Sequence, residues 1–319
     1  MNLRAYAAVC CLLGGTAFAQ DYPSRPIRLV VGFAPGGGAD VAARLVAQKL
    51  QESWNATVVV DNRAGAGGNL AAEIVAKSNP DGYTLLVTSP GPVAINPSLL
   101  AKLPYDPAKE LAPLTLLAFG PNVLVVHPTS TANSVKDFIA LARNASTPLN
   151  YGTSGIGSTP HLSAELFKNM AKVNMTHVPY KGAGAAAIDL VAGRIDVMIV
   201  SAPTVLTQVK AGRLKALGVT SPKRAAVLPD VPTLNEAGLP GYEAGVWWGM
   251  LAPAGTPAPV IDKINKSVVA ILETQDVKTR IANEGAEASP MTPRAFGDFL
   301  KKETVKWAGV IKAANIKAD

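Results

Sequence analysis

This chain has little of what most catalysis and metal binding require. Its 319 residues include two cysteines, Cys10 and Cys11, and three histidines, His127, His161 and His177. Both cysteines lie in residues 1–19, which read as an export leader. Arg4 makes the start positive, Ala5 to Leu13 form a short apolar run, and Ala17-Phe18-Ala19 has the small-x-small pattern of a cleavage site. Ala7-Ala8-Val9 ahead of Cys10 make a poor lipidation site. Cleavage after Ala19 leaves no cysteine, which excludes disulfides, thiolate metal sites and cysteine nucleophiles. No histidine sits in His-Glu-x-x-His or another metal-ligand spacing, so neither metal nor cofactor is expected. Long apolar runs are missing too: the leader's is too short to span a bilayer, and no later segment reaches that length. The expected product is soluble and exported.

Charge is sparse and well mixed. Charged residues make up 17% of the sequence, and the net charge of +7 becomes +6 once Arg4 leaves with the leader. Lysines and arginines stand singly rather than in a stripe, which argues against a nucleic-acid partner. A chain of this length buries ample core without disulfides and is expected to form two domains.

What the chain does have is a series of strand-turn-helix corners made of small residues. The first is Ile27-Arg28-Leu29-Val30-Val31-Gly32-Phe33-Ala34-Pro35-Gly36-Gly37-Gly38-Ala39-Asp40. A β-branched run stops at a Gly/Pro cluster and an alanine-rich helical pattern begins at once. Bare glycines let a ligand approach the backbone, and the first-turn N–H groups carry partial positive charge. Such a corner either cradles an anion or is plain loop geometry. It is neither Gly-x-x-x-x-Gly-Lys-Ser/Thr nor Gly-x-Gly-x-x-Gly, so a carboxylate fits better than a nucleotide. Asp40, in the first helical turn, is a site candidate whose favoured role is to steady the loop.

The pattern continues along the chain. Val41 to Leu50 reads as a helix, Thr57 to Val60 as a strand, and Asp61 to Asn69 as a second glycine-rich turn before a helix over Leu70–Lys77. Tyr83 to Val87 is a third strand ending at Thr88-Ser89. This β-α-β-α-β order predicts a parallel sheet, with ligands beyond the carboxyl ends of its strands, where Thr88 and Ser89 either donate to a carboxylate or cap the local turn. Leu114 to Val126, broken by Gly120-Pro121-Asn122, reads as a strand that leaves the first domain and enters the second. There the pattern repeats. Leu149 to Gly152 precedes the loop Thr153-Ser154-Gly155-Ile156-Gly157-Ser158-Thr159-Pro160, where a Ser/Thr N-cap fits ahead of the proline of a helix from His161. Met175 to Pro179 precedes Tyr180-Lys181-Gly182-Ala183-Gly184, and Ile195 to Val200 ends at Ser201. Glu243 to Leu251 reads as the return strand, with Trp247 and Trp248 on opposite faces. Two amphipathic helices follow, one carrying Ile261, Ile264, Val268 and Leu272, the other Phe296, Phe299, Leu300, Trp307, Val310 and Ile311.

Catalytic constellations are thin. Ser154 lies in Gly-Thr-Ser-Gly-Ile, which lacks the last glycine of a nucleophile elbow. A serine hydrolase using Ser154 or Ser158 with His161 is the rival reading, although His161 reads better as a capping or hydrogen-bonding residue. The expectation is no enzyme but a bilobed α/β protein whose corners, Ser201 included, close around a small anionic solute.

Several of these segments resemble one family in order. Val30 to Asp40 is similar to the signature loop of the Bug (TctC-like) solute-binding proteins of tripartite tricarboxylate transporters. Val60-Asp61-Asn62-Arg63-Ala64-Gly65-Ala66-Gly67-Gly68, Pro80 to Leu85, Tyr151 to Ser158, Val178 to Gly182 and Trp248 to Pro257 match as well. The resemblance implies a two-lobed periplasmic binding protein (Venus flytrap), each lobe a mainly parallel sheet flanked by helices, with two crossover strands at the hinge. It implies lobes of residues 20–123 with 247–319, and of 124–246. It also implies that Phe33, Ala34, Gly36, Gly37, Thr88 and Ser89 face a ligand carboxylate from the first lobe. From the second come Ser154, Ser158, Lys181, Gly182, Ala183 and Gly184. The implied setting is the periplasm, the ligand a small organic acid, the form a monomer, and the partner a set of membrane transporter subunits or else a sensor kinase. One departure is Gly32, where the family has proline; a looser strand end is expected.

Overall fold

The computed structural model describes residues 22–313 and 315–318; the expected leader, residues 1–19, and the expected cleavage site lie outside them. The β-branched runs become strands and the alanine-rich runs helices, in strict alternation through the first part of the chain. In order these are β1 (Ile27–Val31), α1 (Gly38–Trp54), β2 (Val58–Asn62), α2 (Asn69–Ala76) and β3 (Thr84–Thr88). Two short helices follow, α3 (Asn96–Leu99) and α4 (Pro107–Glu110), then β4 (Leu111–Gly120) and β5 (Asn122–Val126). The second half of the alternation comprises α5 (Val135–Asn144), β6 (Leu149–Thr153), α6 (Thr159–Ala171), β7 (Met175–Pro179), α7 (Ala183–Val191), β8 (Val197–Ser201), α8 (Ala202–Lys210) and β9 (Lys215–Val219). The chain ends with β10 (Val246–Pro253), α9 (Ala258–Glu273), α10 (Gln275–Asn283), β11 (Glu287–Ala288) and α11 (Pro293–Ala313).

These strands form two sheets, of order β11-β4-β10-β3-β1-β2 and β7-β6-β8-β5-β9. Two lobes result, joined where the ten-residue β4 ends at Gly120 and β5 begins at Asn122 in the other sheet, and again where the chain returns as β10. The sheets are mixed rather than mainly parallel. β2-β1-β3 and β7-β6-β8 are parallel, as βαβ crossovers require, but β10 runs antiparallel to both β3 and β4, and β5 antiparallel to both β8 and β9. The chain crosses between the lobes once in each direction, so its outgoing and returning strands lie antiparallel where they pair. β2 also runs past its apolar stretch to Asn62, because Asp61 stays in register with Val30 and accepts a hydrogen bond from Arg28 Nε at 2.6 Å.

Trp247 and Trp248 do face opposite sides of β10. Trp247 joins the core beneath α11, edge-on to Phe296 and Phe299 at 5.9 and 5.5 Å. Trp248 belongs to the other face, with the core under α1 and α9 that includes Ile264, Val268 and Leu272. The two C-terminal amphipathic helices thus cover opposite faces of the first sheet. Among the described residues no helix is long and apolar enough to cross a membrane.

Glu303 of α11 is buried, and its Oε2 accepts from both Trp247 Nε1 (2.8 Å) and Trp307 Nε1 (3.1 Å). Glu303→Ala strands two indole donors and is expected to lower stability by about 2–4 kcal/mol, while Glu303→Gln, which keeps an acceptor, loses less. Urea unfolding of the two variants checks this.

Candidate functional site

Each corner is held from behind before it presents anything forward. Behind the first, Asn62 Nδ2 donates to Phe33 O and to Asp40 Oδ1, both at 2.9 Å. Asp40 Oδ2 accepts from Gly36 N (3.1 Å) and Arg44 Nε (2.9 Å). Burial opposes ionisation of Asp40, but the hydrogen bonds from Arg44, Asn62 and Gly36 outweigh it and hold the carboxyl below its ordinary pKa. Asp40 therefore steadies the loop. Gly32 is not loose: a Cβ there would lie 2.8 Å from Gly68 Cα and O, so the next corner packs against it.

In front of these corners lies a cavity of about 30 Å³ between the lobes. Phe33, Gly37, Gly38 and Ala39 line it from the first corner and Ser89 from the end of β3. Ser154, Thr159 and Pro160 line it from the β6–α6 corner, Ala183 from the start of α7, and Ser201 from the end of β8. Asn122, Val246 and Trp248 close it at the hinge. No lining residue is charged. Four helices, α1, α6, α7 and α8, begin at this cavity, and none has a side-chain hydrogen bond at its N-cap (Gly37, Ser158, Gly182 and Ser201). Ser134 does cap α5, accepting from Asp137 N at 3.1 Å, while α2, α9 and α10 also start without a side-chain cap but away from this cavity. Ala202 N of α8 already donates to Pro121 O at 3.2 Å, and Pro160 and Pro203 carry no N–H; the other first-turn amides and the four helix dipoles meet at one uncharged space, where a small anion is the matching ligand.

Of the residues expected at the site, Phe33, Gly37, Ser89, Ser154, Ala183 and Ser201 line this cavity. The others lie around it. Ser158 is the N-cap of α6 as expected, yet its hydroxyl donates to Gly155 O (2.6 Å) instead of accepting from the helix. Thr88 Oγ1 donates to Ser89 O at 3.3 Å. His161 Nδ1 accepts from Gly157 N, and its ring stacks on His177 at 4.3 Å. Ala34, Gly36, Lys181, Gly182 and Gly184 belong to a seam where the lobes touch. Ala34 N donates to Lys181 O (3.3 Å), a Cβ on Gly182 would lie 2.8 Å from Ala34 N, and one on Gly184 would lie 3.0 Å from Pro35 O.

A second seam faces the first. A Cβ on Gly67 would collide with Ile156 O, one on Gly157 with Asn96 Oδ1, and one on Gly91 would come within 2.7 Å of Gly157 O. Gly67 and Gly157 also have positive φ, +64° and +71°, which a side chain disfavours. The sequence reading missed Gly38, Ala39, Asn122, Thr159, Pro160 and Val246, and left Trp248 undecided between core and cleft. Asn122 carried one signal, a lone amide interrupting an apolar run.

The family profile described as "Tripartite tricarboxylate transporter family receptor" matches residues 42–316. This chain belongs to that receptor family. It is 36% identical over 324 residues to Protein BugT of Bordetella pertussis (strain Tohama I), covering 99% of each chain. Among solved structures it is similar to Rpa4515 of R. palustris with adipate (39% identity, TM-score 0.91, 93% of this chain and 99% of that one). It is also similar to MatC of Rhodopseudomonas palustris with bound malate (34% identity, TM-score 0.86, 91% and 100%). The two mixed α/β lobes are the architecture of periplasmic binding proteins.

Two predictions follow from the site's surroundings. Gly67→Ala should prop the lobes apart at Ile156 O and weaken ligand binding on the order of tenfold or more without touching the cavity wall; small-angle scattering reads the separation and calorimetry the affinity. Burial above all, with the neighbouring His161 and Lys168, draws the His177 pKa from 6.5 down to about 4, and the opposing pull of Glu165 is smaller. Between about pH 6.5 and 4 the unfolded chain takes up a proton that the folded chain refuses, so stability falls as pH drops through that window. Thermal melts across it should show a shallower decline for His177→Gln than for the parent.

Proposed function

We propose that this chain is a periplasmic receptor. It captures a small carboxylate-bearing solute between its lobes and presents it to the membrane subunits of a tripartite transporter. The observation that carries this reading is the convergence of four side-chain-uncapped helix N-termini on one uncharged interlobe cavity. Relatives of similar fold hold adipate and malate, both dicarboxylates. In this reading the moving halves are residues 20–121 with 246–319, and 122–245, hinged beside Pro121 and Gly245; the expected bounds at 123/124 and 246/247 shift by one or two residues because Asn122 and Val123 pair in the second sheet and Val246 in the first. The chain acts as a monomer, without cofactor, after export and removal of residues 1–19. A sensor kinase as the partner would use the same closed form.

The rival serine hydrolase has less behind it. Ser158 Oγ donates to Gly155 O, and His161 Nδ1 accepts from Gly157 N, so the neutral ring carries its proton on Nε2; neither group is set up as nucleophile or base. Receptor action needs only that the solute bind the closed lobes better than the open ones.

Melting the protein with small carboxylic acids and with their uncharged amides tests the reading. Ligand at a hundredfold excess over its Kd adds about 2.7 kcal/mol to stability, so one or more acids should raise the melting temperature while the matching amides do not. Ser154→Ala should reduce the affinity of that acid about fivefold to tenfold. Stabilisation by the amides alone would overturn the proposal.

A further inference from the structure

Asn122 is the first residue of β5, at the point where the chain crosses between lobes, and it is fully buried. Its backbone N–H donates to Thr220 Oγ1 at 2.8 Å, and its Nδ2 donates to Ser163 Oγ and to Ala244 O, both at 3.0 Å. Ala244 O is a carbonyl and can only accept, so it fixes which end of the Asn122 amide is nitrogen. Thr220 Oγ1, which also donates to Ala244 O at 2.8 Å, locks the same arrangement. The amide cannot turn over. Its remaining polar atom, Oδ1, is buried and has no hydrogen-bond partner.

A second atom shares this condition. Thr159 Oγ1 is buried without a partner, and Thr159 stands four residues before Ser163 on α6, on the same helix face. Asn122 and Thr159 both line the interlobe cavity and are sealed from outside solvent, at 0% and 1% exposure. Both residues lie in the wall of the cavity, so the partner nearest to hand for either atom is a group held there. Buried polar atoms left bare are rare because they are costly, and two at one cavity call for a ligand.

The chemistry at the two atoms is not symmetrical. A threonine hydroxyl both donates and accepts, whereas an amide oxygen only accepts. A carboxylate or a methylene beside Asn122 Oδ1 would leave it unsatisfied, and a carboxylate would also repel it. We infer that the captured acid carries a hydrogen-bond donor, a hydroxyl or ammonium group, that Asn122 Oδ1 accepts while the helix N-termini hold the carboxylate. This deepens the carboxylate-receptor reading and rests on it.

Matched acids separate the two claims. The full mature protein is titrated by calorimetry with propanoate, lactate and alanine; with succinate, malate and aspartate; and with glutarate, 2-hydroxyglutarate and glutamate. The expected result is that the tightest binder carries a hydroxyl or ammonium group and that its plain counterpart binds roughly tenfold to a hundredfold more weakly. A plain acid that binds as well as its substituted partners, its place at Oδ1 filled by water, would overturn this inference and leave the carboxylate receptor standing. Binding by no member of the panel would overturn both. Asn122→Leu should erase the discrimination while the protein still melts cooperatively. A folded variant that keeps the full discrimination would remove the role from Asn122, and the comparison on the unaltered protein decides the inference if the variant does not fold.

Discussion

A helix that starts without a side-chain cap leaves amide donors that something else must satisfy. The first turns of α1, α6, α7 and α8 are in this condition, and all four begin at the same cavity. The loops before them are made of glycine, alanine and serine, so little besides backbone stands between the helix ends and the cleft. Fixed dipoles of this kind need no reorganisation when an anion arrives. They also explain an absence: with four positive helix ends in place, the wall needs no lysine or arginine, and the lining has none.

That arrangement works only if the lobes come close together, and bare backbone makes the approach possible. Gly67, Gly91, Gly155 and Gly157 meet across one seam, and Gly182 and Gly184 meet Ala34 and Pro35 across the other. A backbone hydrogen bond from Ala34 N to Lys181 O joins the lobes directly. A solute bound by both halves then supplies the differential affinity that favours closure.

Much of this was legible in the residues. The runs at Ile27–Val31 and Val197–Ser201 have the β-branched density of buried strands, and the glycine clusters that end strands mark corners at the carboxyl edge of a sheet. The family motifs follow those same corners. Strand direction at the hinge was harder, because periodicity reports which face is buried and says nothing of which neighbour a strand pairs with; β10 against β3 and β4 is a long-range choice. Within the site, Phe33, Ser89 and Ser154 were visible because they sit in corners. Thr88 and Ser158 were visible for the same reason, yet their hydroxyls serve local carbonyls, and nothing in a sequence tells a hydroxyl that faces a ligand from one that turns back on its own loop. Asn122 and Trp248 were obscured by their strands, where an inward face and a cleft face follow the same alternation.

The hinge residues tie the two requirements together. Asn122 holds Ser163 of α6 and Ala244 near the return strand through Nδ2, while its other amide atom, buried in the cavity wall, has no partner in the protein. Trp248 packs against Gly38, where a Cβ would strike its ring, so the start of α1 lies directly on the crossover strand. Wherever the chain passes between lobes it therefore touches a helix N-terminus that faces the solute. Rotation at the hinge must change the cavity wall as well as the distance between seams. Recognition and closure then respond to the same atoms, which is the condition under which binding energy at the wall biases the position of the lobes.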